Sequence, residues 1–245
     1  MELTAVDVQA WLAEDVRSGD VTSTTVIDED AVCEARILVK EPGVVCGLAA
    51  AAAVFEALGA RLEPLVADGA RVDARPVARV EGPARAVLTG ERLALNLLGR
   101  LSGIATLTRR YVHAVDGTRT TILDTRKTTP GLRELEKEAV RCGGGTNHRL
   151  GDRGCEPQMV VLDQDGVVEA GLPVGVECDT LAQVSEALED ASRRWLSLIR
   201  MASSRPRRWF VPPPQRTASF SSSRRPGVVL RVSRMIVRVP STAST

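Results

Sequence analysis

The chain has 245 residues, of which 44% are apolar and only 3% aromatic, so Ala, Val and Leu must fill its core. No apolar run approaches the roughly 20 residues that span a bilayer, and the acidic N-terminus lacks the basic and apolar regions of a secretory signal. Five cysteines without a CxxC pair argue against a zinc ribbon or a disulfide framework, so we expect a reduced, cytoplasmic protein.

The net charge of +1 conceals two parts of different composition. Residues 191–245 contain 12 Arg and no Lys, Asp or Glu, which leaves 20 basic and all 31 acidic residues in 1–190. The first part therefore carries a balance of −11 and is typical of a globular protein. The last part is dominated by Arg, Ser and Pro, so we expect it to be poorly ordered, with a strand only within 228–239.

The first hundred residues mix helical and strand-like patterns. Helical periodicity is found at 4–16, 47–58 and 91–115. A strand is predicted at 34–39, ended by Glu41-Pro42-Gly43. Residues 61–90 have the pattern of short strands, with turns at Asp68-Gly69 and Glu81-Gly82-Pro83. Such a mixture predicts an α+β domain.

The next ninety residues repeat a strand–helix unit. Strands are predicted at 120–123, 159–162 and 174–178. Each of two helices follows one of these strands, the first ending before Gly143-Gly144-Gly145 and the second covering 180–188. Alternating strands and helices favour a parallel sheet of the β/α-barrel kind, in which active sites lie at the carboxyl ends of the strands.

The polar loop 124–131 follows the first of these strands and is the strongest candidate site. Its adjacent Arg126 and Lys127 offer two kinds of cation. Arginine presents a planar fork that matches a carboxylate or phosphate, whereas lysine presents a compact point charge. A solvated basic turn is the alternative interpretation.

A second polar segment, Asn147-His148-Arg149, follows the three glycines, which allow a backbone to approach a ligand closely. A histidine beside an arginine can bind an anion or donate one hydrogen bond in its neutral form, although a surface loop is the alternative. Arg92 has the position of an exposed helix arginine. Glu177, in the apolar strand VGVEC, could hold a hydroxyl group or a metal at the strand end.

Four segments together resemble one family, the quinolinate phosphoribosyltransferases, also called nicotinate-nucleotide pyrophosphorylases (carboxylating). The segments are EDVRSGDVTS (14–23), GERLALNLLGRLSGIAT (90–106), ILDTRKTTPGLRELEKEAVRCGGGTNHRLG (122–151) and VECDTLAQVSEALE (176–189). The resemblance implies an α/β fold, with an N-terminal α+β open sandwich domain followed by an incomplete, truncated β/α barrel, assembled as a homodimer. We expect the sandwich at 1–100, the partial barrel with the substrate site at 101–190, and the tail at 191–245.

The same resemblance implies a pentosyltransferase of NAD biosynthesis. Its reaction joins quinolinate to phosphoribosyl pyrophosphate with Mg²⁺, and releases carbon dioxide and pyrophosphate as nicotinate mononucleotide forms. The residues that it places in substrate binding are Arg92, Thr125, Arg126, Lys127, His148, Arg149 and Glu177. Among them Lys127 and Glu177 would be catalytic, and Arg92 would reach the site of the partner subunit.

The implied roles follow the charges of the substrates. Arg126 would contact quinolinate and the phosphoribosyl donor, with Thr125 beside it, and Lys127 would contact the donor's phosphates. His148 and Arg149 would hold the quinolinate carboxylates. The resemblance also implies that Glu177 would bind either the ribose hydroxyls or the hydration shell of the Mg²⁺ ion.

The chain departs from the family pattern after residue 151. Asp163 stands where the family has a lysine, and Gly166 stands where it has a histidine. The segment between residue 166 and Glu177 is shorter than in the family. The closing strands and the phosphate loop that the family has beyond the position of Glu189 are not expected in this chain. We hypothesise that 151–172 and 191–245 are out of frame, and we expect impaired catalysis from the chain as written.

Three other functions stay open at this level. A related phosphoribosyltransferase could act on another aromatic acid, or the chain could be a catalytically dead remnant. The Arg-rich tail could bind nucleic acid or an acidic partner, with Trp195, Trp209 and Phe220 stacking on bases.

Overall fold

The computed structural model describes residues 5–17, 19–118, 120–125, 127–147, 160–162, 174–178, 180–191, 196–201 and 232–238. The chain divides into two compact units, one formed by Met1–Thr106 with Leu230–Thr245 and the other by Leu107–Val229. The fold class is α/β, as predicted. Among the described residues, no helix is both long and apolar enough to cross a bilayer.

Six helices and ten strands make up the described elements. The helices are α1 (Ala5–Val16), α2 (Val21–Val26), α3 (Leu48–Ala57), α4 (Ala84–Ala114), α5 (Arg133–Cys142) and α6 (Leu181–Ala191). The strands are β1 (Val32–Val39), β2 (Gly43–Val44), β3 (Arg61–Pro64), β4 (Arg71–Val72), β5 (Arg75–Pro83), β6 (Thr121–Leu123), β7 (Val160–Leu162), β8 (Val174–Cys178), β9 (Leu196–Met201) and β10 (Val232–Arg238).

The first unit contains an antiparallel sheet in the order β10-β1-β5-β3. Alternate residues of β1 are buried, and Ile37 is fully buried. Burying a side chain of this size stabilises the fold by about 1.5–3 kcal/mol. On the other face Arg79 lies 3.1 Å from Glu34 and 3.5 Å from Glu81. The predicted strand at 34–39 is confirmed, and its alternation gives the sheet one apolar and one charged face.

Hydroxyl groups on α4 satisfy the backbone of a neighbouring segment in the same unit. The backbone N–H of Val44 donates to Oγ1 of Thr106 at 2.9 Å, and that of Cys46 donates to Oγ of Ser102 at 3.0 Å. All four groups are buried, so each bond replaces one that water would otherwise make. A Cβ atom on Gly47, whose φ is +104°, would lie 2.7 Å from Leu101, which explains the glycine at this close approach.

The sequence patterns misplace one boundary between strand and helix. The turn predicted at Glu81-Gly82-Pro83 is wrong, because all three residues lie in β5, which pairs with β1 through to Pro83. Gly82 has a φ of +149°, and a Cβ atom there would lie 2.9 Å from the Cα of Ala60. The glycine therefore marks a close backbone approach, and the proline occupies the end of the strand. As a result α4 begins at Ala84, seven residues before its predicted start.

The short helix α2 was not predicted, and its beginning is fixed by Asp20. Oδ1 of Asp20 accepts a hydrogen bond from the backbone N–H of Ser23 at 3.0 Å, and Oδ2 accepts one from the Ser23 hydroxyl at 2.5 Å. The Thr89 hydroxyl donates to the same Oδ2 at 3.2 Å. These bonds, with those from the Ser23 side chain foremost, hold the pKa of Asp20 below its usual value of 3.8.

We expect Asp20→Ala to lower the free energy of unfolding by about 1 kcal/mol at pH 7, because α2 loses its N-cap. The lowered pKa means that the carboxylate stabilises the fold above the unfolded value of 3.8 and that this gain is lost as pH falls through the lower folded pKa. Urea denaturation between pH 2 and 7 measures both effects. Asp20→Asn keeps the cap but should lose that pH dependence; an unchanged pH profile in this variant would contradict the assignment.

The second unit contains a parallel sheet in the order β6-β9-β8-β7. The predicted strands at 120–123, 159–162 and 174–178 are confirmed as β6, β7 and β8. Helix α5 follows β6 and buries Leu135, Ala139 and Val140. Helix α6 follows β8 and packs against it. These strand–helix units form the incomplete β/α barrel, and their loops after β6 and β8 leave from the same edge.

The tail contributes two strands to the described structure. The expectation that 191–245 forms a strand only within 228–239 is wrong, because β9 lies between β6 and β8 in the parallel sheet. The segment LSLIRM is apolar enough for a central parallel strand. Such a strand pairs with a neighbour on each side, and its sequence does not need to alternate between apolar and polar residues. Composition averaged over the Arg-rich surroundings hides this six-residue run. The strand expected within 228–239 is confirmed as β10, and the other residues of the tail lie outside the described ones.

Candidate active site

Three neighbouring parallel strands bring their carboxyl ends to one edge of the second unit's sheet. β6 ends at Leu123, and β9 lies between β6 and β8. Leu123 and Glu177 are each in register with Arg200 of β9. The loop after Leu123 and the backbone at Glu177 therefore lie at the edge where proteins of this architecture bind their ligands.

The loop after β6 buries its first residues and exposes a cation. Asp124 and Thr125 are each only 4% exposed. The backbone N–H of Lys127 donates to Oγ1 of Thr125 at 3.2 Å, so the threonine hydroxyl closes a turn within the loop. Lys127 itself is exposed. The turn thus places a compact positive charge at the carboxyl edge of the sheet.

A buried ion pair joins this loop to α5. Nζ of Lys137 lies 2.6 Å from Oδ2 of Asp124, and the two side chains are 5% and 4% exposed. Five residues along the loop, the backbone N–H of Thr129 donates to Oε2 of Glu136 at 3.1 Å. Glu136 is also buried. Two consecutive residues of α5 therefore hold the two ends of the loop segment 124–129.

A second segment runs beside β6 toward the same edge. The backbone N–H of Thr146 donates to the carbonyl of Ile122 at 2.8 Å, and its carbonyl accepts from the N–H of Asp124 at 3.2 Å. With its amide oriented to satisfy both acceptors, Asn147 donates to the Lys137 carbonyl at 2.9 Å and to Oδ2 of Asp124 at 3.1 Å. Asn147 thus links the two polar segments that the sequence singles out.

The last glycine before this segment is required by packing within the protein. A Cβ atom on Gly145 would lie 2.7 Å from Cγ1 of Val140 and 3.0 Å from Cγ2 of Thr108. The sequence interpretation, that these glycines allow a ligand to approach, therefore overlooks the contact that Gly145 actually makes. Its small size lets the chain from Gly145 to Asn147 lie against α5 and α4 within the second unit.

The structure brings together some of the predicted site residues. Thr125 and Lys127 lie at the carboxyl edge, and so does the backbone of Glu177. Arg126, His148 and Arg149 lie outside the described residues, as do Asp163, Gly166 and the tail residues Trp195, Trp209 and Phe220.

Arg92 belongs to the first unit, where it lies on α4. Its side chain is 75% exposed, and Nη1 lies 3.5 Å from Oδ1 of Asp15. An exposed pair of this kind contributes about 0–1 kcal/mol, so it restrains the guanidinium only weakly. Arg92 is therefore accessible, as expected of an exposed helix arginine.

Sequence reasoning missed Glu136 and Lys137, whereas Asn147 belongs to the second polar segment that it singled out. A signal for Glu136 exists, because it lies three and four residues before Ala139 and Val140 on the buried face of α5. A charged residue on such an apolar stripe needs a partner, which here includes the N–H of Thr129. No comparable pattern indicates that Lys137 reaches the loop after the preceding strand.

Comparisons with known proteins cover both units. The family model of the quinolinate phosphoribosyl transferase N-terminal domain matches residues 20–102, and that of the C-terminal domain matches residues 104–160. A probable nicotinate-nucleotide pyrophosphorylase (carboxylating) of Bacillus subtilis strain 168 is 47% identical over 144 residues, which are 58% of this chain and 50% of the relative. A protein of the same description from Synechocystis sp. PCC 6803 is 50% identical over 179 residues, 72% of this chain and 59% of the relative.

Two further comparisons cover more of the relative. The nicotinate-nucleotide pyrophosphorylase (carboxylating) of Mycobacterium leprae is 41% identical over 200 residues, which are 75% of this chain and 70% of that protein. The crystal structure of NadC from Streptococcus pyogenes matches with a TM-score of 0.59 at 34% identity, covering 77% of this chain and 74% of that one. The chain spans between half and three-fifths of the length of the first two curated relatives. Since both domain models and the fold agree, the chain belongs to the quinolinate phosphoribosyltransferase family.

Proposed function

We propose that the chain catalyses the transfer of a phosphoribosyl group from phosphoribosyl pyrophosphate to quinolinate, with decarboxylation. The products would be nicotinate mononucleotide, carbon dioxide and pyrophosphate, as a step of NAD biosynthesis in the cytoplasm. The observation that carries this proposal is the exposed Lys127 in a tethered loop at the carboxyl edge of the parallel sheet. The same loop lies inside the segment that matches the family's C-terminal domain.

The chemistry of the substrates explains why cations are needed at this edge. Quinolinate is a dianion, and the phosphoribosyl donor carries still more negative charge. In the reaction the bond between the ribosyl carbon and pyrophosphate breaks, and the pyridine nitrogen bonds to that carbon. A ring carboxylate then leaves as carbon dioxide, and a proton from solvent takes its place on the ring carbon. The ribosyl carbon passes through an oxocarbenium-like state, by analogy with glycoside cleavage. Holding the reactants in place and stabilising the departing charge would supply most of the acceleration.

Each predicted residue keeps its role within this proposal. Lys127 would contact the phosphates of the donor, where a compact ammonium suits a dispersed negative charge. Arg126 would contact both substrates, and His148 with Arg149 would hold the quinolinate carboxylates. The carboxylate of Glu177 would bind the ribose hydroxyls, and the buried Thr125 would shape the turn before Lys127.

Mg²⁺ fits this residue set as a companion of the donor rather than as a resident ion. Among the described residues, no three His, Cys, Asp or Glu side chains lie close enough together to hold a metal ion. Mg²⁺ commonly keeps several waters and binds through substrate phosphates and one or two carboxylates. Glu177 would provide that carboxylate in its alternative role, in which it binds the shell of the ion instead of the ribose hydroxyls. When bound, the ion supplies positive charge that stabilises the pyrophosphate leaving group.

The proposal includes a homodimer in which Arg92 serves the site of the other subunit. Arg92 is three-quarters exposed and pairs with Asp15 at 3.5 Å, and this exposure supports its availability to a second copy of the chain. Arg92→Ala should leave the dimer's stability unchanged while weakening quinolinate binding. Mixing this variant with one that carries Lys127→Met tests the exchange, since heterodimers would recover one complete site.

We expect low turnover from the chain as written and a higher kcat/KM from Asp163→Lys. A unit-charge contact at about 4 Å is worth about 4 kcal/mol at an effective dielectric constant of about 20, so a carboxylate in place of a cation opposes binding of both anions. The assay follows nicotinate mononucleotide formed from quinolinate and phosphoribosyl pyrophosphate with Mg²⁺.

A matched control makes the same charge change in the first unit, with Asp73→Lys at an exposed position between β4 and β5. It should leave kcat/KM unchanged. Nicotinate, offered as the alternative acceptor, should give no product. Product formed from nicotinate and not from quinolinate would favour the related transferase. If neither the wild-type chain nor Asp163→Lys binds the donor, the proposal is overturned.

A further inference from the structure

Helix α5 presents two consecutive charged residues that are both buried. Glu136 is 5% and Lys137 4% exposed, although neighbouring Glu134 is exposed. Burying a charge is costly unless the charge is paired and hydrogen-bonded. Both residues meet this requirement through bonds to the loop after β6 rather than through partners within α5 alone.

The bonds made by Glu136 and Lys137 lie on either side of the candidate cation, Lys127, along the loop. Lys137 holds Asp124 at the first end of the loop segment, and Glu136 accepts the backbone N–H of Thr129 at the other end. Lys127 lies between these two tethers, in the turn closed by Thr125. The carbonyl of Lys137 also accepts a bond from Asn147, so the second polar segment is tied to the same point of α5.

Two tethers restrict a short loop more strongly than one. A loop held at a single end can pivot, whereas tethers at both Asp124 and Thr129 keep the position of Lys127 between them. The position of a substrate-binding cation matters because a displacement of about 1 Å can cost about a hundredfold in rate. A rigid helix that packs on the sheet is therefore a suitable base for the loop.

We propose that Glu136 and Lys137 are positioning residues, which clamp segment 124–129 from α5 and thereby set where Lys127 meets the phosphates of the donor. The inference rests on the proposed function, and it assigns no direct substrate contact to either residue. It adds to the implied site two residues that are buried beneath the loop. Asn147 extends the clamp to the segment that leads to residues 148 and 149.

The test compares Glu136→Ala, which removes the acceptor for Thr129, with Glu136→Gln, which retains a carbonyl oxygen as acceptor. Glu134→Ala, at an exposed position of the same helix, is the matched control. Hydrogen–deuterium exchange of segment 124–129 reports the clamp without any need for activity. The affinity for phosphoribosyl pyrophosphate and, where turnover is measurable, its KM and kcat report the consequence for the site.

We expect Glu136→Ala to raise the exchange rate of the Thr129 amide and the Kd for the donor by about tenfold each, with a smaller change in kcat. Glu136→Gln should restore both values, and Glu134→Ala should change neither. A loss of thermal stability in Glu136→Ala with unchanged exchange and unchanged Kd would overturn the positioning role. If Glu136→Ala fails to fold, failure of Glu136→Gln to retain the wild-type exchange and affinity would overturn it instead.

The two proposals fail in different ways. If the wild-type chain binds no donor and Asp163→Lys binds none, the proposed function is wrong whatever the exchange experiment shows. If donor binding is present but Glu136→Ala leaves segment 124–129 unchanged, the clamp is wrong and the function stands.

Discussion

Replacing Lys127 by methionine should lower kcat/KM for phosphoribosyl pyrophosphate by about a hundredfold, the usual cost of removing one group that stabilises developing charge. Lys127 is exposed, so the change should leave the free energy of unfolding within about 0.5 kcal/mol of wild type. Initial rates at varied donor concentration measure the first quantity, and urea denaturation measures the second. If turnover by the wild-type chain is too low, the Asp163→Lys background provides the reference.

Lys40→Met is the matched control for this change, because Lys40 is an exposed lysine of the first unit. It removes the same charge and should leave kcat/KM unchanged. An equal loss in both variants would show that net charge, and not the position of Lys127, attracts the donor. A full rate in Lys127→Met would remove this lysine from the catalytic machinery.

Asp124→Asn should destabilise the protein by about 3–5 kcal/mol, because it leaves the charge of Lys137 buried without its carboxylate partner. Lys137→Met should have a similar effect for the converse reason. The double variant Asp124→Asn/Lys137→Met should recover most of the loss, since no unpaired charge stays buried. Urea denaturation of the four proteins gives the coupling free energy directly.

Asp15→Asn provides the exposed counterpart to this experiment. It breaks the pair with Arg92, whose side chain is 75% exposed, and should cost only about 0–1 kcal/mol. A double variant of Asp124 and Lys137 that loses the sum of the two single losses would show that the residues act independently. The close contact between Lys137 and Asp124 would then contribute no stabilising interaction.

The sequence predicted the bounds of those helices whose pattern distinguishes a buried face from an exposed face. Helices α1 and α3 begin and end within one residue of the predicted bounds, and α5 ends at Cys142, as expected before the glycines. The patterns failed where tertiary contacts override local propensity. Gly82 has the chemistry of a turn residue, but the close approach of Ala60 requires it inside a strand.

The sequence predicted where the candidate site lies, but it did not predict which residues hold the loop of the site in place. Lys127 follows the end of β6 by four residues, and this closeness in sequence is enough to place it at the carboxyl edge of the sheet. The bonds from Glu136 and Lys137 to that loop join residues 7 and 13 positions apart. Charged residues of a helix usually face water, so their burial depends on how α5 packs, which a sequence pattern does not specify.

Strand β10 has a consequence for how the protein is made. It pairs along the outer edge of β1, although the two strands lie near opposite ends of the chain. During translation, the peptide groups on that edge stay open until β10, which is synthesised about 200 residues after β1, leaves the ribosome. At roughly 5–20 residues per second, this delay is about 10–40 s. The nascent N-terminal unit therefore spends most of its synthesis with an unpaired strand edge that other nascent chains can join.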